Sequence, residues 1–141
     1  VISGGKDQIK TAEKMATEKG AKRVIILETS GAFHSSFMHN AAIKLGKELE
    51  KIQISDPKIP LVSNVNARAV YKKEEIKDNL IKQVTSSVLW EDSMKFILSQ
   101  NIRNFIEFGP GKVLKGLMRK IDPAVEVKTI EKAQDITGVS A

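Results

Sequence analysis

His34 is the residue whose type and address best suit proton transfer near neutral pH. It stands in Gly31-Ala32-Phe33-His34-Ser35-Ser36, after an apolar run and ahead of the longest helical stripe in the chain. Ligands of open α/β sheets gather beyond the carboxyl ends of strands, so this loop is a favourable place for a general base. The same address also fits a histidine packed at a helix start, with Ser35 or Ser36 as the N-cap. His39 follows five residues later and is not a metal partner of His34, because two imidazoles sharing a metal on one helix usually sit four apart. A second junction, Gly109-Pro110-Gly111-Lys112, resembles a phosphate-cradling turn, since helix N-terminal amides favour anions. It lacks the P-loop pattern of two glycines five apart followed by Lys-Ser/Thr, and close packing of strand on helix explains it equally. No Gly-x-Ser-x-Gly elbow occurs, so the chain offers a base without a nucleophile.

The elements around these loops follow from periodicity and punctuation. Val1 to Ser3 reads as a strand end, Gly4-Gly5 as a turn, and Asp7 to Lys19 as a helix stopped by Gly20. Lys22 to Glu28 has an apolar, β-branched centre, which predicts a strand covered on both faces. Phe37, Ala41, Leu45, Leu49 and Ile52 mark a helix over 35–52. Leu61 to Val65 reads as a strand followed by a polar turn at Asn66 and Ala67. Helices are expected over 73–84, 91–100 and 112–121, strands over 104–108 and 125–130, and a frayed tail from Ala133. Strands alternating with helices predict an α/β fold with a largely parallel sheet.

Composition narrows the chemistry further. The chain of 141 residues carries 23 Lys+Arg against 17 Asp+Glu, a net charge of +6, with no cysteine and two histidines. Disulfides, zinc ribbons, iron–sulfur ligation and a thiol nucleophile are thereby excluded, a multi-histidine metal site is disfavoured, and a reducing, cytoplasmic setting is expected. The longest apolar run, Val24-Ile25-Ile26-Leu27, is far short of the ~18 to 20 residues a membrane helix needs. The densest basic groups, Lys22-Arg23 and Lys112, Lys115, Arg119 and Lys120, suit an acidic partner or a solvated face. With seven aromatics and no basic-aromatic interleaving, nucleic acid is not the expected partner.

Several separated motifs then fall into register. Val1-Ile2-Ser3-Gly4, Gly20 to Arg23, Gly31 to Met38, Ser63-Asn64-Val65, Gln83, Trp90 and Phe108 to Leu114 closely resemble the malonyl-CoA:acyl carrier protein transacylases of fatty-acid synthesis, in order and spacing, over nearly the whole chain. The resemblance implies an α/β fold made of part of an α/β-hydrolase-like large subdomain and a segment of a ferredoxin-like small one. Residues 1–29 would belong to the small subdomain, 30–132 to the large one, and 133–141 to a tail. It implies that malonyl moves from coenzyme A, a substrate rather than a resident cofactor, to the phosphopantetheine thiol of acyl carrier protein through an acyl-serine. His34 would be the base and then the acid, and the main-chain carbonyl of Gln83 would orient its ring. Phe33 and Asn64 match substrate-side positions, with Phe33 set to crowd an α-methyl group. Lys22 and Arg23 match a pair that docks the acidic carrier protein.

In that family the nucleophile elbow, the arginine that pairs with the malonyl carboxylate and an oxyanion donor lie in an N-terminal half that these residues lack. The start at Val1, inside an expected strand, reads as a cut. The chain alone is therefore expected to be inactive. Two further readings stay open: a non-catalytic carrier-protein-binding domain, and a piece of a polyketide synthase acyltransferase domain.

Overall fold

Backbone hydrogen bonds end the first helix where the sequence places a glycine. In the computed structural model, which describes residues 1–136, α1 spans Lys6–Glu18. Gly20 sits at φ +85°, and the Gly20 and Ala21 amides donate to the carbonyls of Thr17 and Ala16, both at 3.0 Å. That pair of bonds is a Schellman stop, which needs a left-handed residue and so favours glycine.

The described residues form two compact units, Val1–Leu89 and Trp90 onward. In the first, a 3-10 turn at Ser36–Met38 leads into α2 (His39–Glu50), and α3 (Lys73–Gln83) packs on α2. Ala42 and Leu49 are the buried residues of α2. Gly46 lies on the same face, where an added Cβ would stand 3.4 Å from Ile81 Cδ1, an ordinary van der Waals contact between the two helices. Phe37 and Ile52, the ends of the expected stripe, fall outside α2 and are exposed. A hairpin of β1 (Leu61–Val62) and β2 (Ala69–Val70) is antiparallel, paired Leu61 to Val70 and Val62 to Ala69. Ala67 takes φ +52° in its turn, with the Ala67 amide donating to the Ser63 carbonyl at 2.9 Å.

The second unit contains α4 (Trp90–Ser99), β3 (Asn104–Phe108), α5 (Val113–Ile121) and β4 (Glu126–Ile130). Strands β3 and β4 pair in parallel, Asn104 opposite Glu126 through Phe108 opposite Ile130, with α5 between them in the chain. Met94, Met118, Val125 and Val127 form the core, with Trp90, Ile97, Leu98, Phe105 and Ile121 packed against it.

Five expectations are corrected. Val1–Ser3 and Lys22–Glu28 are not strands, and Ile25, Ile26 and Leu27 are exposed by 59%, 52% and 62%. Apolar, β-branched composition does not make a strand without a neighbour to complete the ladder, and no described residue supplies one there. The strand expected over 61–65 shortens to Leu61–Val62, because Ser63 already begins the hairpin turn. The described sheets are one antiparallel and one parallel pair rather than a largely parallel sheet. Finally, Ala133–Ile136 does not fray: it is a 3-10 turn in which Asp135 Oδ2 accepts the amides of Glu131 at 3.0 Å and Lys132 at 2.9 Å. Residues 137–141 of the expected tail lie outside the described residues.

Candidate active site

His34 adopts φ +62°, a left-handed conformation that costs a side-chain-bearing residue roughly 1 to 2 kcal/mol and must be held by its surroundings. Two loops hold it. On its own side, Ser35 Oγ donates to the Ala32 carbonyl at 2.6 Å, and the Met38 amide donates to the Ser35 carbonyl at 3.1 Å. Ser35 precedes the 3-10 turn, yet neither it nor the residue before α2 makes a side-chain cap. The serine hydroxyl thus braces the loop rather than the helix.

The other hold comes from the C-terminus of α3. The His34 amide donates to the Val84 carbonyl at 3.2 Å, and His34 Nδ1 lies 2.9 Å from the Gln83 carbonyl oxygen. The last carbonyls of a helix lack intrahelical partners, and here two consecutive ones are taken by the same residue. A carbonyl only accepts, so the 2.9 Å bond places the ring hydrogen on Nδ1 and leaves Nε2 with its lone pair. The histidine is exposed. The arrangement is that of a base oriented through one nitrogen and available through the other.

Around it, Phe33 is 46% exposed, with its Cε2 atom 3.7 Å from where a Cβ on Gly31 would stand. Asn64 is exposed, and its main-chain carbonyl accepts the Leu89 amide at 2.8 Å, tying the loop after β1 to the end of the turn that follows α3. At the other end of α3, Asp56 Oδ1 accepts the Lys73 amide at 2.9 Å and Oδ2 pairs with Lys72 Nζ at 3.3 Å. The Lys73 amide, and after it the Lys72 ammonium, hold the Asp56 carboxyl below the usual carboxylate range.

The Gly109-Pro110-Gly111 junction is built differently. Glu107, on the buried face of β3 and only 8% exposed, turns its carboxylate onto the first turn of α5. Oε1 accepts the Leu114 amide at 2.9 Å and Oε2 the Lys115 amide at 3.0 Å. Gly109 and Gly111, at φ +124° and +86°, bend the chain between strand and helix. The amides a phosphate would use are spent on the protein's own carboxylate, which corrects the anion-cradle reading of this turn.

Comparison with known proteins places the chain. No family model matches it. It is 40% identical over 136 residues to the malonyl CoA-acyl carrier protein transacylase of Bacillus subtilis (strain 168), covering 96% of this chain and 43% of that protein. The transacylase of Staphylococcus aureus (strain COL) is 39% identical over 138 residues, covering 98% of this chain and 45% of its own length. Among solved structures, an acyl carrier protein S-malonyltransferase from Vibrio cholerae superposes with a TM-score of 0.91 at 34% identity, over 97% of this chain and 45% of that one. A malonyl-transacylase solved in complex with its type II PKS acyl-carrier protein gives 0.89 at 32% identity, over 96% and 44%. The chain is a homologue of the malonyl-CoA:acyl carrier protein transacylases. It spans a little under half the length of the curated relatives it matches.

In this transacylase homologue Lys22 and Arg23 lie on an exposed, irregular segment after α1. Within the first unit, hydrogen bonds join His34 to Gln83 and Val84, and Leu89 to Asn64; none of those described links Lys22 or Arg23 to them. No helix among the described residues is long and apolar enough to cross a membrane. Three participants were missed from sequence. The Val84 carbonyl has no side-chain signature at all. Asp56 stands out in the sequence only by preceding Pro57, although a carboxylate is a natural partner for a helix N-terminus. Glu107 did carry a signal, as an acid on the same strand face as Phe105, followed by a glycine turn and a helix.

Proposed function

We propose that these residues are the base-bearing part of a malonyl transacylase that moves malonyl from coenzyme A to the phosphopantetheine thiol of an acyl carrier protein. The observation that carries this reading is the 2.9 Å contact of His34 Nδ1 with the Gln83 carbonyl, which leaves Nε2 as the basic nitrogen. In the first half-reaction a serine from outside these residues attacks the thioester carbonyl, its proton passes to His34 Nε2, and the same proton returns to the departing coenzyme A thiolate. In the second, the carrier thiol attacks the malonyl-serine ester, gives its proton to Nε2, and the serine alkoxide recovers it. The Gln83 carbonyl keeps the ring in the orientation both transfers need, and the negative end of α3 faces the imidazolium formed between them.

Phe33 is assigned to the acyl side, where its ring would disfavour an α-methyl group, and Asn64 to the substrate-side loop. Lys22 and Arg23 are assigned to the acidic surface of the carrier protein, where charge mainly raises encounter rate and fixes orientation. Residues 1–29 would join a ferredoxin-like small subdomain and 30–132 an α/β-hydrolase-like large one.

The test is malonyl loading and transfer followed by intact mass, in a polypeptide that joins these residues to the elbow-bearing remainder. His34→Ala is expected to lower transfer by about 10³-fold. Turnover near wild type would remove His34 from the reaction. The 141-residue chain alone is expected to take no covalent malonyl group. A second reading, a non-catalytic carrier-protein-binding domain, is favoured by the exposed basic pair Lys22-Arg23 on the irregular segment after α1. It predicts salt-sensitive carrier binding by the chain with no transfer in any combination.

A further inference from the structure

The second unit carries a cleft that the proposed transfer does not use. It has a volume of about 200 Å³ and lies among α4, β3, α5 and β4, lined by Trp90, Met94, Phe105, Glu107, Leu114 and Met118 among others. Its walls are apolar apart from two groups. Trp90 is half-buried, and its indole Nε1 is buried with no hydrogen-bond partner among the described residues. Glu107 is only 8% exposed, and each of its oxygens already accepts an amide of α5.

A buried N–H without an acceptor is costly, and native proteins nearly always give such a group a partner, whether their own or a bound molecule. Water fits this space poorly. One water takes about 30 Å³ and needs two to four polar partners, whereas the cleft is several times larger and walled mainly by carbon. Apolar cavities of roughly 150 Å³ stay dry and take up benzene. We propose that the cleft is a binding site for a small neutral molecule with an apolar body and one hydroxyl or carbonyl oxygen, which accepts the Trp90 Nε1 hydrogen. The body fills the space between Met94, Phe105 and Met118. Anions are excluded, because a carboxylate brought beside the buried Glu107 would meet a like charge. The site does not rest on the reading of His34.

Trp90 is the only tryptophan of the chain, so its indole N–H signal reports on the cleft. The experiment is an NMR titration of the 141-residue chain, and of the polypeptide joining it to the elbow-bearing remainder, with benzyl alcohol, toluene and benzoate as probes. Both proteins carry ¹⁵N-labelled tryptophan, and the Trp90 signal is assigned by its loss in Trp90→Phe. Benzyl alcohol is expected to bind saturably and move the indole hydrogen downfield, toluene to bind without that movement, and benzoate not to bind. In Trp90→Phe, followed through the probe signals, the affinity ratio of benzyl alcohol to toluene should fall by roughly fivefold, the worth of about one net hydrogen bond. Each probe's own hydration cancels in that comparison. Leu114→Trp, which fills the cleft from α5, should abolish binding of both. No saturable binding of benzyl alcohol, an unchanged ratio in folded Trp90→Phe, or binding undiminished in Leu114→Trp would each overturn the proposal. So would binding by the chain that vanishes in the joined polypeptide, because the remainder would then be what covers the cleft.

Discussion

The two loop-to-helix junctions singled out by sequence use opposite ends of a helix, and use them for opposite purposes. At Gly109-Pro110-Gly111 the amides at the start of α5 are satisfied internally, by a buried glutamate two residues before the turn. At His34 the carbonyls at the end of α3 are satisfied by an exposed histidine in a left-handed conformation, which keeps its second nitrogen free of that contact. Both ends obey the rule that orphaned helix groups must find partners. What separates scaffold from candidate site is whether the partner has a reactive atom left over.

That contrast can be broken by exchanging the currencies in which the two regions are measured. Glu107→Ala should lower thermal stability by about 2 kcal/mol, because it strips two helix amides of their acceptor, whereas His34→Ala should change it by less than about 1 kcal/mol. Calorimetry of both variants checks this, and equal losses would erase the distinction. Phe33→Ala should relax discrimination against methylmalonyl by about tenfold with little effect on melting, measured as the ratio of kcat/KM values for the two acyl groups. Unaltered discrimination would remove the ring from the acyl side.

Lys22→Glu with Arg23→Glu should slow use of the carrier protein several-fold at low salt while leaving loading from malonyl-CoA intact, and the deficit should fade as salt rises. Equal losses in both half-reactions would argue against docking. The smallest effect is expected for Asp56→Asn, and it depends on pH. The folded-state carboxyl is depressed by the Lys73 amide and then by Lys72, so its contribution is present above the ordinary carboxylate value and disappears as pH falls through the depressed one. Wild type and variant should differ slightly at neutral pH and converge in acid, as read by melting curves. A difference that persists at low pH would assign the effect to something other than the charge.

Legibility in the sequence tracked the physics of each element. Helices α1, α3, α4 and α5 and strands β3 and β4 lie within a residue or two of their periodic patterns. Each packs on a neighbouring element of its own unit or, like α1, carries its own stop signal. The segment 22–28 failed for the converse reason. Its pattern is that of a strand, no described residue pairs with it, and composition cannot report whether a partner is present. Hairpin strand β2 went unseen because two residues are too few to show a period. At the candidate site the histidine was visible through its type and address. The groups that hold it are main-chain carbonyls, and backbone atoms have no letter. The internal cap on α5 is legible only through the pleat, which puts Glu107 on the face of Phe105.

Helix α3 also sets a distance. Asp56, reaching from a remote loop, anchors one end, and His34, reaching from another, anchors the far end. The 11 residues between make a rigid spacer of roughly 16 Å. One residue inserted or deleted would swing the terminal carbonyl by about 100° and slide it by about 1.5 Å, enough to lose the imidazole altogether. The helix thus behaves as a gauge block. Its surface residues are open to substitution, but its length is not open to drift, and the orientation of the ring is in effect counted out in peptide units.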